Sequence, residues 1–292
     1  MRELSFTVPV EYDGISVKSF LRGYCGISAR LMVRLKREPM GITKNGLHVI
    51  VTQTLSAGDV VRIRMPDDRK QPEPEDRLLS VVYEDEDLLI IDKPANMPMY
   101  PAPGHDRDSL ANAVAAYHLR RNERLAFRPV YRLDKDTTGL VVLAKNPYCA
   151  ARLAGNIEKE YMAICEGEFS GSGTIDVPIA LKEGHTIQRT VTPCGESAVT
   201  HWRVLCTGRG YTFVSFRIET GRTHQIRVHM SHFGHPLAGD DLYGGHLEFL
   251  SRQALHCTNI HFVHPVSGQD RRFTCALPND MKKLLEWSGM VK

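Results

Sequence analysis

The chain contains 292 residues, of which 42% are hydrophobic and 24% are charged, proportions that are typical of a water-soluble globular protein and exclude a disordered or collagen-like chain. Its apolar runs, such as residues 139–144, are much shorter than the roughly 18 residues that a membrane-crossing helix needs, and the first residues lack the pattern of a signal peptide, so we expect a cytoplasmic protein. The formal net charge of +3 is too small by itself to indicate a nucleic-acid partner.

The charge is unevenly distributed along the chain. Residues 1–66 contain ten Lys or Arg and five Asp or Glu, a formal charge of +5, whereas the remainder sums to −2. This excess fits either an anchor for RNA phosphates or an ordinary solvated basic surface. At about 150 residues per domain the length predicts two domains. We predict a small basic domain over residues 1–66, a polar, proline-bearing linker over 67–77 and a larger domain over 78–292.

The small domain begins with two predicted helices, the second of which has Ser28 as its expected N-cap. The exposed side of that helix carries a basic stripe, Arg30, Arg34 and Arg37. The pair Asn45-Gly46 then predicts a hairpin turn. Residues 55–64, LSAGDVVRIR, predict a further turn and an alternating strand.

Two basic helices, an Asn-Gly turn and a final Gly-Asp-Val-Val strand resemble the RNA-binding module named after ribosomal protein S-four. The resemblance implies a small α/β domain in which the basic stripe contacts RNA. The basic residue and Leu-Asp pair that usually open the first helix of that module are replaced here by residues 15–18, ISVK. A short structural cap is the alternative interpretation.

Residues 129–145, PVYRLDKDTTGLVVLAK, contain the most informative pattern in the larger domain. Residues 139–144 predict a buried strand, and the charged loop before it carries Asp134 and Asp136. A carboxylate that such a loop presents against an apolar strand suits nucleophilic or general-base chemistry. Charged loops before strands are common, however, so spacing alone also fits a purely structural role.

Residues 132–140, RLDKDTTGL, resemble the catalytic motif of the RluA-type pseudouridine synthases, which isomerise uridine in structured RNA. Further blocks similar to that family follow in order, at residues 92–105, 159–163, 221–229, 234–244 and 252–278. Ordered blocks spread over residues 78–288 argue against a chance match. The resemblance implies an α+β domain with a large mixed, mainly antiparallel sheet, flanking helices and a central catalytic cleft.

The same resemblance implies that Asp134 is the essential aspartate. The reaction breaks the bond between the uracil nitrogen and the ribose, turns the base and rejoins it through carbon. Asp134 would act as a nucleophile or abstract a ribose proton, and the sequence does not decide between the two. Both routes need an ionised carboxylate in a pocket that excludes water, and a neighbouring cation would favour that charged form.

Arg227 matches the family's basic partner, so we expect an ion pair between Arg227 and Asp134. Local patterning agrees with this placement. Thr223 is an expected cap of a helix on which Ile226, Met230 and Phe233 form an apolar face. Arg227 lies beside that face, where its guanidinium reaches the edge of the packed helix.

The remaining predicted site residues surround the substrate. Tyr161 matches the family's active-site tyrosine, which would stack on uracil, although a tyrosine on a strand is more often a core residue. Arg132 is expected to fill the space left by a flipped-out uridine or to hold its phosphate. Tyr131 replaces the usual histidine. Arg222 and His224 are also expected to contact the substrate.

Metal and cofactor motifs are not recognisable in the sequence. Histidines 224, 229, 232 and 235 lie close together, but their spacing does not place them on one helical face and no H-E-x-x-H motif accompanies them. We expect structural or RNA-contacting histidines, no metal and no organic cofactor. The seven cysteines form no C-x-x-C pair, so most are expected to be buried apolar residues.

An RNA pseudouridine synthase is the leading functional prediction, with large-subunit ribosomal RNA as the favoured substrate and transfer RNA as the second. A non-catalytic RNA-binding or RNA-folding protein on the same scaffold is the main alternative. A metal-dependent hydrolase, suggested by the histidines alone, is the weakest. No membrane or obligate protein partner is implied.

Overall fold

A computed structural model describes residues 2–65 and 71–291 of the chain. Its first part is a small antiparallel sheet with two short helices. The helices are α1 (Val17–Gly23) and α2 (Ala29–Leu35), and the strands are β1 (Arg2–Thr7), β2 (Ile42–Lys44), β3 (Leu47–His48) and β4 (Val60–Met65). The strands pair in the order β1-β4-β2-β3.

Local sequence signals account for these elements. The Ser28 side chain accepts a hydrogen bond from the backbone N–H of Leu31 and caps α2 as expected. Asn45 and Gly46 have positive φ angles of 50° and 84°, the conformation that a two-residue hairpin turn needs. Residues 60–65 alternate between more and less buried positions. Of the expected linker, residues 67–70 lie outside the described residues and 71–77 form neither helix nor strand.

The second part of the described chain contains a nine-stranded sheet. Eight strands follow the order β5-β6-β7-β14-β8-β13-β12-β9, and β15 pairs with β14. Their bounds are β5 (Ser80–Glu84), β6 (Leu88–Lys93), β7 (Thr138–Ala144), β8 (Glu158–Glu166), β9 (Ser172–Asp176), β12 (Val199–Gly208), β13 (Tyr211–Ile218), β14 (Leu255–Val263) and β15 (Asp270–Thr274). A separate hairpin is formed by β10 (Ile179–Leu181) and β11 (Arg189–Val191). The pairing of β14 with β7 is parallel and the other pairings within the sheet are antiparallel.

Helices cover parts of this sheet. They are α3 (Leu110–Arg120), α4 (Pro147–Leu153), α5 (Gln225–His232) and α6 (Asn279–Trp287). Helix α6 packs Met281, Leu284 and Leu285 against Ile164 of β8, and α5 packs against β11 and β12. The α+β class with a mainly antiparallel sheet is therefore confirmed. No helix in the described ranges is long and apolar enough to cross a membrane.

Strand β7 follows the charged loop and pairs in parallel with β14. All residues of β7 are buried. Gly139 has a φ of +110°, and a Cβ atom at this position would lie 2.3 Å from the backbone oxygen of Cys257. The close approach of the two backbones therefore requires glycine.

The N-terminal sheet contacts the larger domain through β1. The guanidinium of Arg2 donates two hydrogen bonds to the carboxylate of Asp87, both at 2.8 Å. Asp87 is buried and also accepts a hydrogen bond from Asn146 at 2.7 Å. The rings of Phe6 and Tyr148 meet edge-on with centroids 6.2 Å apart. This junction combines a charged and an aromatic contact.

Candidate active site

One cavity of about 770 Å³ is lined by every site residue that the sequence predicts within residues 78–292. It lies between the charged loop before β7, strand β8 and the segment that leads into α5. The predicted residues in its lining are Tyr131, Arg132, Asp134, Tyr161, Arg222, His224 and Arg227. The volume falls within the range of small-molecule sites in proteins.

A buried lysine donates a hydrogen bond to the loop that carries Asp134. The side chain of Lys93, at the end of β6, is fully buried and donates hydrogen bonds to the carbonyls of Pro94, Met97 and Lys135 at 2.8–3.0 Å. Burial lowers the pKa of Lys93 to about 7. Within the loop, the N–H of Thr137 donates to the carbonyl of Asp134 at 3.2 Å. The backbone that follows Asp134 is therefore bonded to the end of β6 through Lys93 and is closed by a turn within the loop.

The expected ion pair is present. A guanidinium N–H of Arg227 donates to Oδ2 of Asp134 at 3.2 Å. The side chain of Asp134 is 17% exposed, which leaves it accessible from the cavity. The charge-assisted hydrogen bond orients the carboxylate at the cavity.

Arg227 makes its stronger contact with a residue that the sequence prediction missed. Its Nε and a terminal nitrogen donate to the two carboxylate oxygens of Asp240 at 2.7 and 2.8 Å. Burial lowers the pKa of Arg227, but the hydrogen bonds and charges of Asp240 and Asp134 outweigh this effect and raise it above its usual value. The sequence feature that could have indicated Asp240 is its position in block 234–244, which resembles the family. Its spacing from Arg227 did not show that the two side chains are in contact.

Tyr243 completes the support of Arg227 and was also missed. The guanidinium carbon of Arg227 lies 5.0 Å from the centre of the Tyr243 ring, a cation–π distance. The Tyr243 hydroxyl lies 2.8 Å from Nδ1 of His224 and accepts a hydrogen bond from the backbone N–H of Arg189 at 2.8 Å. Tyr243 therefore connects Arg227 to His224.

The start of α5 differs from the prediction. Thr223 does not cap the helix: the N-cap is His224, which has a left-handed backbone with φ 58° and no side-chain cap hydrogen bond. The amide oxygen of Gln225 instead accepts from the backbone N–H of Arg222 at 3.0 Å. Of the expected apolar face, Phe233 is 45% exposed. A non-glycine residue with positive φ is uncommon and turns the imidazole of His224 into the cavity wall.

His224 is uncharged near neutral pH. Burial lowers the pKa of His224 to about 4, and the charges of Arg227, Arg132 and Arg189 add to that effect while Asp134 opposes it. Its Nε2 lies 3.8 Å from Oδ2 of Asp134, beyond hydrogen-bond length. The imidazole therefore meets the Asp134 carboxylate as a neutral polar ring.

Two tyrosine rings also line the cavity. Tyr161 on β8 is buried, and burial raises its pKa well above the ordinary value. The Tyr131 hydroxyl donates to the carbonyl of Leu140 at 2.8 Å, and the ammonium of Lys159 lies 5.1 Å from the Tyr131 ring centre. The tyrosine at position 131 is thus tied to β7, where its ring contributes to the wall.

The arginines at the cavity differ in their partners. Arg132 is exposed at the rim. Arg222 is bonded to the carboxylate of Glu196 at 2.5 Å and to the carbonyl of Ser197 at 2.9 Å. Arg132 is therefore the more available of the two for an incoming phosphate.

The predicted basic stripe of residues 30–37 does not line the cavity. Arg30 and Arg37 are exposed and Arg34 is half-buried. Helix α2 ends at Leu35, so Arg37 follows the helix. None of the three arginines belongs to the cavity lining.

Two further histidines of the predicted cluster contact backbone and hydroxyl groups. His229 is buried and lies 2.9 Å from the Thr200 hydroxyl and 3.0 Å from the Val177 carbonyl. His235 lies 3.0 Å from the carbonyl of Glu166. Within residues 2–65 and 71–291, groups of three potential metal ligands occur elsewhere, at Asp92–His256–Cys275, Glu84–His118–Glu123 and Asp85–Asp87–His264. Both histidines therefore have structural contacts.

The cysteines behave largely as the sequence predicts. Each of the seven is free, and five are buried. Cys194 is exposed and Cys206 is half-buried. The buried cysteines therefore act as small apolar residues of the interior.

The geometry suits chemistry on a sugar or base that enters from one side. Asp134 offers a carboxylate, Arg227 donates a hydrogen bond to it, and aromatic rings line the same cavity. A substrate that displaced water from this cavity would strengthen the electrostatic interactions within it. A nucleophilic or general-base role of Asp134 is compatible with this arrangement.

Comparison with known sequences gives the family. A family model described as RNA pseudouridylate synthase matches residues 87–232. The chain is 38% identical over 284 residues to the uncharacterized RNA pseudouridine synthase YjbO of Bacillus subtilis (strain 168), which covers 93% of this chain and 99% of that protein. It is 39% identical over 233 residues to ribosomal large subunit pseudouridine synthase D of Escherichia coli (strain K12), which covers 73% of this chain and 72% of that protein.

Comparison with solved structures gives the same fold. The human RNA pseudouridylate synthase domain containing 1 has a TM-score of 0.56 at 22% identity and covers 75% of this chain and 98% of that one. The human RNA pseudouridylate synthase domain containing 4 also has a TM-score of 0.56, at 23% identity, and covers 71% of this chain and 92% of that one. By its sequence matches, and with the fold they share, the chain belongs to the RNA pseudouridylate synthase family and is an RNA pseudouridine synthase, an isomerase.

Proposed function

We propose that this enzyme converts specific uridines of large-subunit ribosomal RNA to pseudouridine, with Asp134 as the reacting carboxylate. The observation that carries the assignment of Asp134 is its place at the cavity, 3.2 Å from a guanidinium that the buried Asp240 holds. In the reaction the bond between uracil N1 and the ribose breaks and a bond from uracil C5 to the ribose forms. C5 loses a proton and N1 gains one, so no atom is gained or lost overall.

Arg227 orients the Asp134 carboxylate in our proposal. Attack on the ribose and abstraction of a ribose proton both begin from a carboxylate with a free electron pair. The guanidinium contacts Oδ2, and Oδ1 has no hydrogen bond to the described residues. Oδ1 is therefore available to the substrate in either route.

Tyr161 and Tyr131 would hold the uracil. Tyr161 is buried in the wall with its pKa raised by burial, so its hydroxyl stays protonated at neutral pH. Its proposed roles are to stack on the base and to offer a hydroxyl near the carbon that loses its proton. Tyr131, whose own hydroxyl is bonded to Leu140, would contribute ring surface.

The target uridine has to leave its stack to enter the cavity. Arg132 is exposed at the rim, where we propose that it fills the vacated space or holds the phosphate of the flipped nucleotide. Arg222 and His224 would contact the same nucleotide from the α5 side. Arg222 would do so after exchanging its contact with Glu196.

The N-terminal domain supports a structured RNA as substrate. We propose that it is an RNA-binding domain of the S-four type in which Arg30, Arg34 and Arg37 contact phosphates. The name of the Escherichia coli relative, a ribosomal large subunit synthase, favours large-subunit ribosomal RNA over transfer RNA. The free cysteines agree with a reducing, cytoplasmic compartment.

The substrate is tested by mapping pseudouridine in ribosomal and transfer RNA from cells with and without the gene. Loss of a pseudouridine from large-subunit ribosomal RNA alone is expected. Loss confined to transfer RNA would overturn the proposed substrate.

The role of Asp134 is tested by Asp134→Asn, which keeps the side-chain shape and removes the charge. We expect turnover to be abolished while binding of the RNA is largely retained. Asp136→Asn is the matched control because Asp136 lies in the same loop and its oxygen accepts from the Asn96 backbone N–H, a bond that asparagine can still accept. Full activity of Asp134→Asn would contradict its role, as would equal loss in the two variants.

A further inference from the structure

The hydroxyl of Tyr243 has two neighbours but a single hydrogen. It accepts from the backbone N–H of Arg189 at 2.8 Å, and Nδ1 of His224 lies 2.8 Å away on the other side. A tyrosine hydroxyl is one donor and accepts at its remaining lone pairs. The position of its hydrogen therefore determines which nitrogen of His224 carries a proton.

Hydrogen-bond satisfaction selects one arrangement. If Nδ1 of His224 carried the hydrogen, it would donate to Tyr243, and the tyrosine hydrogen would need another acceptor. Across residues 2–65 and 71–291, no other acceptor for this hydroxyl is found. If Nδ1 is unprotonated, it accepts the tyrosine hydrogen, and every polar atom of the contact is satisfied.

Electrostatics at the other ring nitrogen selects the same arrangement. Nε2 of His224 faces Oδ2 of Asp134 at 3.8 Å. A hydrogen on Nε2 is attracted to this carboxylate, whereas a lone pair there would be repelled. Two independent contacts, at opposite sides of the imidazole, thus favour the same tautomer.

We propose that Tyr243 fixes His224 as the neutral tautomer with its hydrogen on Nε2, so that His224 presents a donor to Oδ2 of Asp134. Apart from the nucleotide contact that we propose for His224, the two are positioning residues: His224 acts through Asp134, and Tyr243 acts through His224. The proposal rests on the proposed role of Asp134. Burial of His224 lowers its pKa to about 4, so the imidazole is uncharged at neutral pH. The charge of Asp134 raises this pKa, and the nearby arginines lower it.

In this arrangement the two oxygens of Asp134 have different partners. Arg227 donates to Oδ2 at 3.2 Å, and the imidazole N–H needs to move by only about 0.8 Å to reach ordinary hydrogen-bond length. Catalytic hydrogen bonds are often long before substrate binds and shorten in the complex. With both donors on Oδ2, Oδ1 is the oxygen that meets the ribose.

The tautomer is measured directly by nitrogen NMR of protein labelled with ¹⁵N-histidine, without any RNA. His224→Gln assigns the signal by its disappearance, and His224→Asn, which tolerates the left-handed backbone, serves if the glutamine variant does not fold. We expect a neutral ring with its hydrogen on Nε2 at pH 7. A hydrogen on Nδ1, or a doubly protonated ring, would overturn the proposal.

The role of the tyrosine is tested in Tyr243→Phe, which keeps the ring under Arg227 and removes the hydroxyl. We expect the His224 signal to move to a mixture of tautomers and kcat to fall by about tenfold, the scale of one hydrogen bond to a charged group. KM for RNA should stay within about twofold. Tyr117→Phe is the control, because it removes a tyrosine hydroxyl bonded to Glu84, outside the cavity lining.

A double-mutant cycle separates the route through His224 from the contact of the ring with Arg227. In the His224→Gln background the amide N–H is a donor that needs no tautomer, so Tyr243→Phe should lower kcat by less than about twofold. An equal loss in both backgrounds would overturn the proposed route. The NMR measurement uses no substrate, so its result does not depend on activity. Absence of pseudouridine formation would refute the proposed function, and the NMR result would still test the tautomer of His224.

Discussion

Asp240 determines how Arg227 meets Asp134. It takes two hydrogen bonds from the guanidinium at 2.7 and 2.8 Å, whereas Asp134 receives one at 3.2 Å. The Asp240 side chain is fully buried, so the guanidinium is fixed before a substrate enters. A guanidinium that is already in place does not have to reorganise during the reaction.

Replacing Asp240 should therefore affect stability and turnover together. We expect Asp240→Asn to lower the free energy of unfolding by about 3–5 kcal/mol, because a buried guanidinium loses its closest counter-charge. Turnover should also fall, since Arg227 is then free to move relative to Asp134. Urea unfolding and single-turnover rates measure the two effects.

Asp241→Asn is the matched control for this variant. Asp241 is the exposed neighbour of Asp240, and its substitution should change stability by less than about 0.5 kcal/mol. If the two variants were equally stable, the Arg227–Asp240 contact would not have the importance assigned to it.

His256 should make stability depend on pH below neutrality. It is buried, with Nδ1 2.8 Å from the Thr138 hydroxyl and Nε2 3.2 Å from Sγ of Cys275. Burial lowers its pKa from 6.5 to about 4, and Arg252 adds to the effect. Between these values the unfolded chain binds the proton and the folded chain does not, so stability falls as the pH drops from about 6.5 towards 4.

Urea unfolding at pH 7 and pH 5 tests this dependence. The loss of stability on acidification should be smaller in His256→Asn than in the unmodified protein, because one of the contributing groups has been removed. His48→Asn, at an exposed position of the N-terminal sheet, should retain the full loss. The same loss in His256→Asn would show that this imidazole does not titrate as described.

At the scale of elements, the pairing of β7 with β14 places the Asp134 loop. The two strands run parallel, with Gly139 opposite Cys257. A Cβ atom at Gly139 would lie 2.3 Å from the Cys257 oxygen and 2.6 Å from its nitrogen. Both atoms belong to the backbone, so a side chain at this position would push the strands apart.

Gly139→Ala should consequently destabilise the protein more than an alanine at an uncrowded glycine of positive φ. Gly155→Ala is the comparison, because Gly155 has φ +76° and no atom lies within 4 Å of the place that its Cβ would take. We expect about 1–2 kcal/mol from the backbone strain at Gly155 and a further 1–3 kcal/mol from crowding at Gly139. Thermal and urea unfolding would measure both, and equal losses would contradict the crowding argument.

Local elements are the part of the fold that the sequence predicts well. The Ser28 cap and the Asn45-Gly46 turn follow from contacts within a few residues, and the strand at 139–144 follows from its uninterrupted apolar run. The predicted cap of α5 at Thr223 was wrong: the N-cap is His224, which has a left-handed backbone and whose imidazole contacts Tyr243, 19 residues away. Such side-chain contacts leave no local pattern.

The candidate site shows the same division. The family resemblance placed Asp134, Tyr161 and Arg227 in one site, and the cavity contains all three. Asp240 and Tyr243 were missed because a buried side chain that supports another one has the same sequence signature as an ordinary turn residue. Their importance is visible only from distances.

At the scale of the whole molecule, Arg2 and Asp87 connect the N-terminal sheet to the nine-stranded sheet. The contact is bidentate, and the carboxylate is buried and shared with Asn146. Bidentate arginine–carboxylate pairs fix orientation as well as distance. The N-terminal sheet should therefore keep one orientation relative to the catalytic sheet.

Loss of this contact should broaden the range of orientations. We expect Arg2→Ala to widen the distribution of distances between spin labels on α2 and α6, measured by pulsed electron spin resonance. Arg64→Ala is the control, because Arg64 pairs with Glu3 inside the N-terminal sheet. An unchanged, narrow distribution in Arg2→Ala would show that other contacts are sufficient to hold the domains.

The junction has a consequence for how targets would be selected. If Arg2 and Asp87 hold the two sheets in one orientation, as we predict, the basic stripe and the cavity mouth would keep a constant spacing. A transcript could engage both only if its folded shape presents a phosphate ridge and an exposed uridine that far apart. The enzyme would then select its RNA by tertiary structure. A short unfolded oligonucleotide with the same nucleotide sequence around the uridine would be a poor substrate.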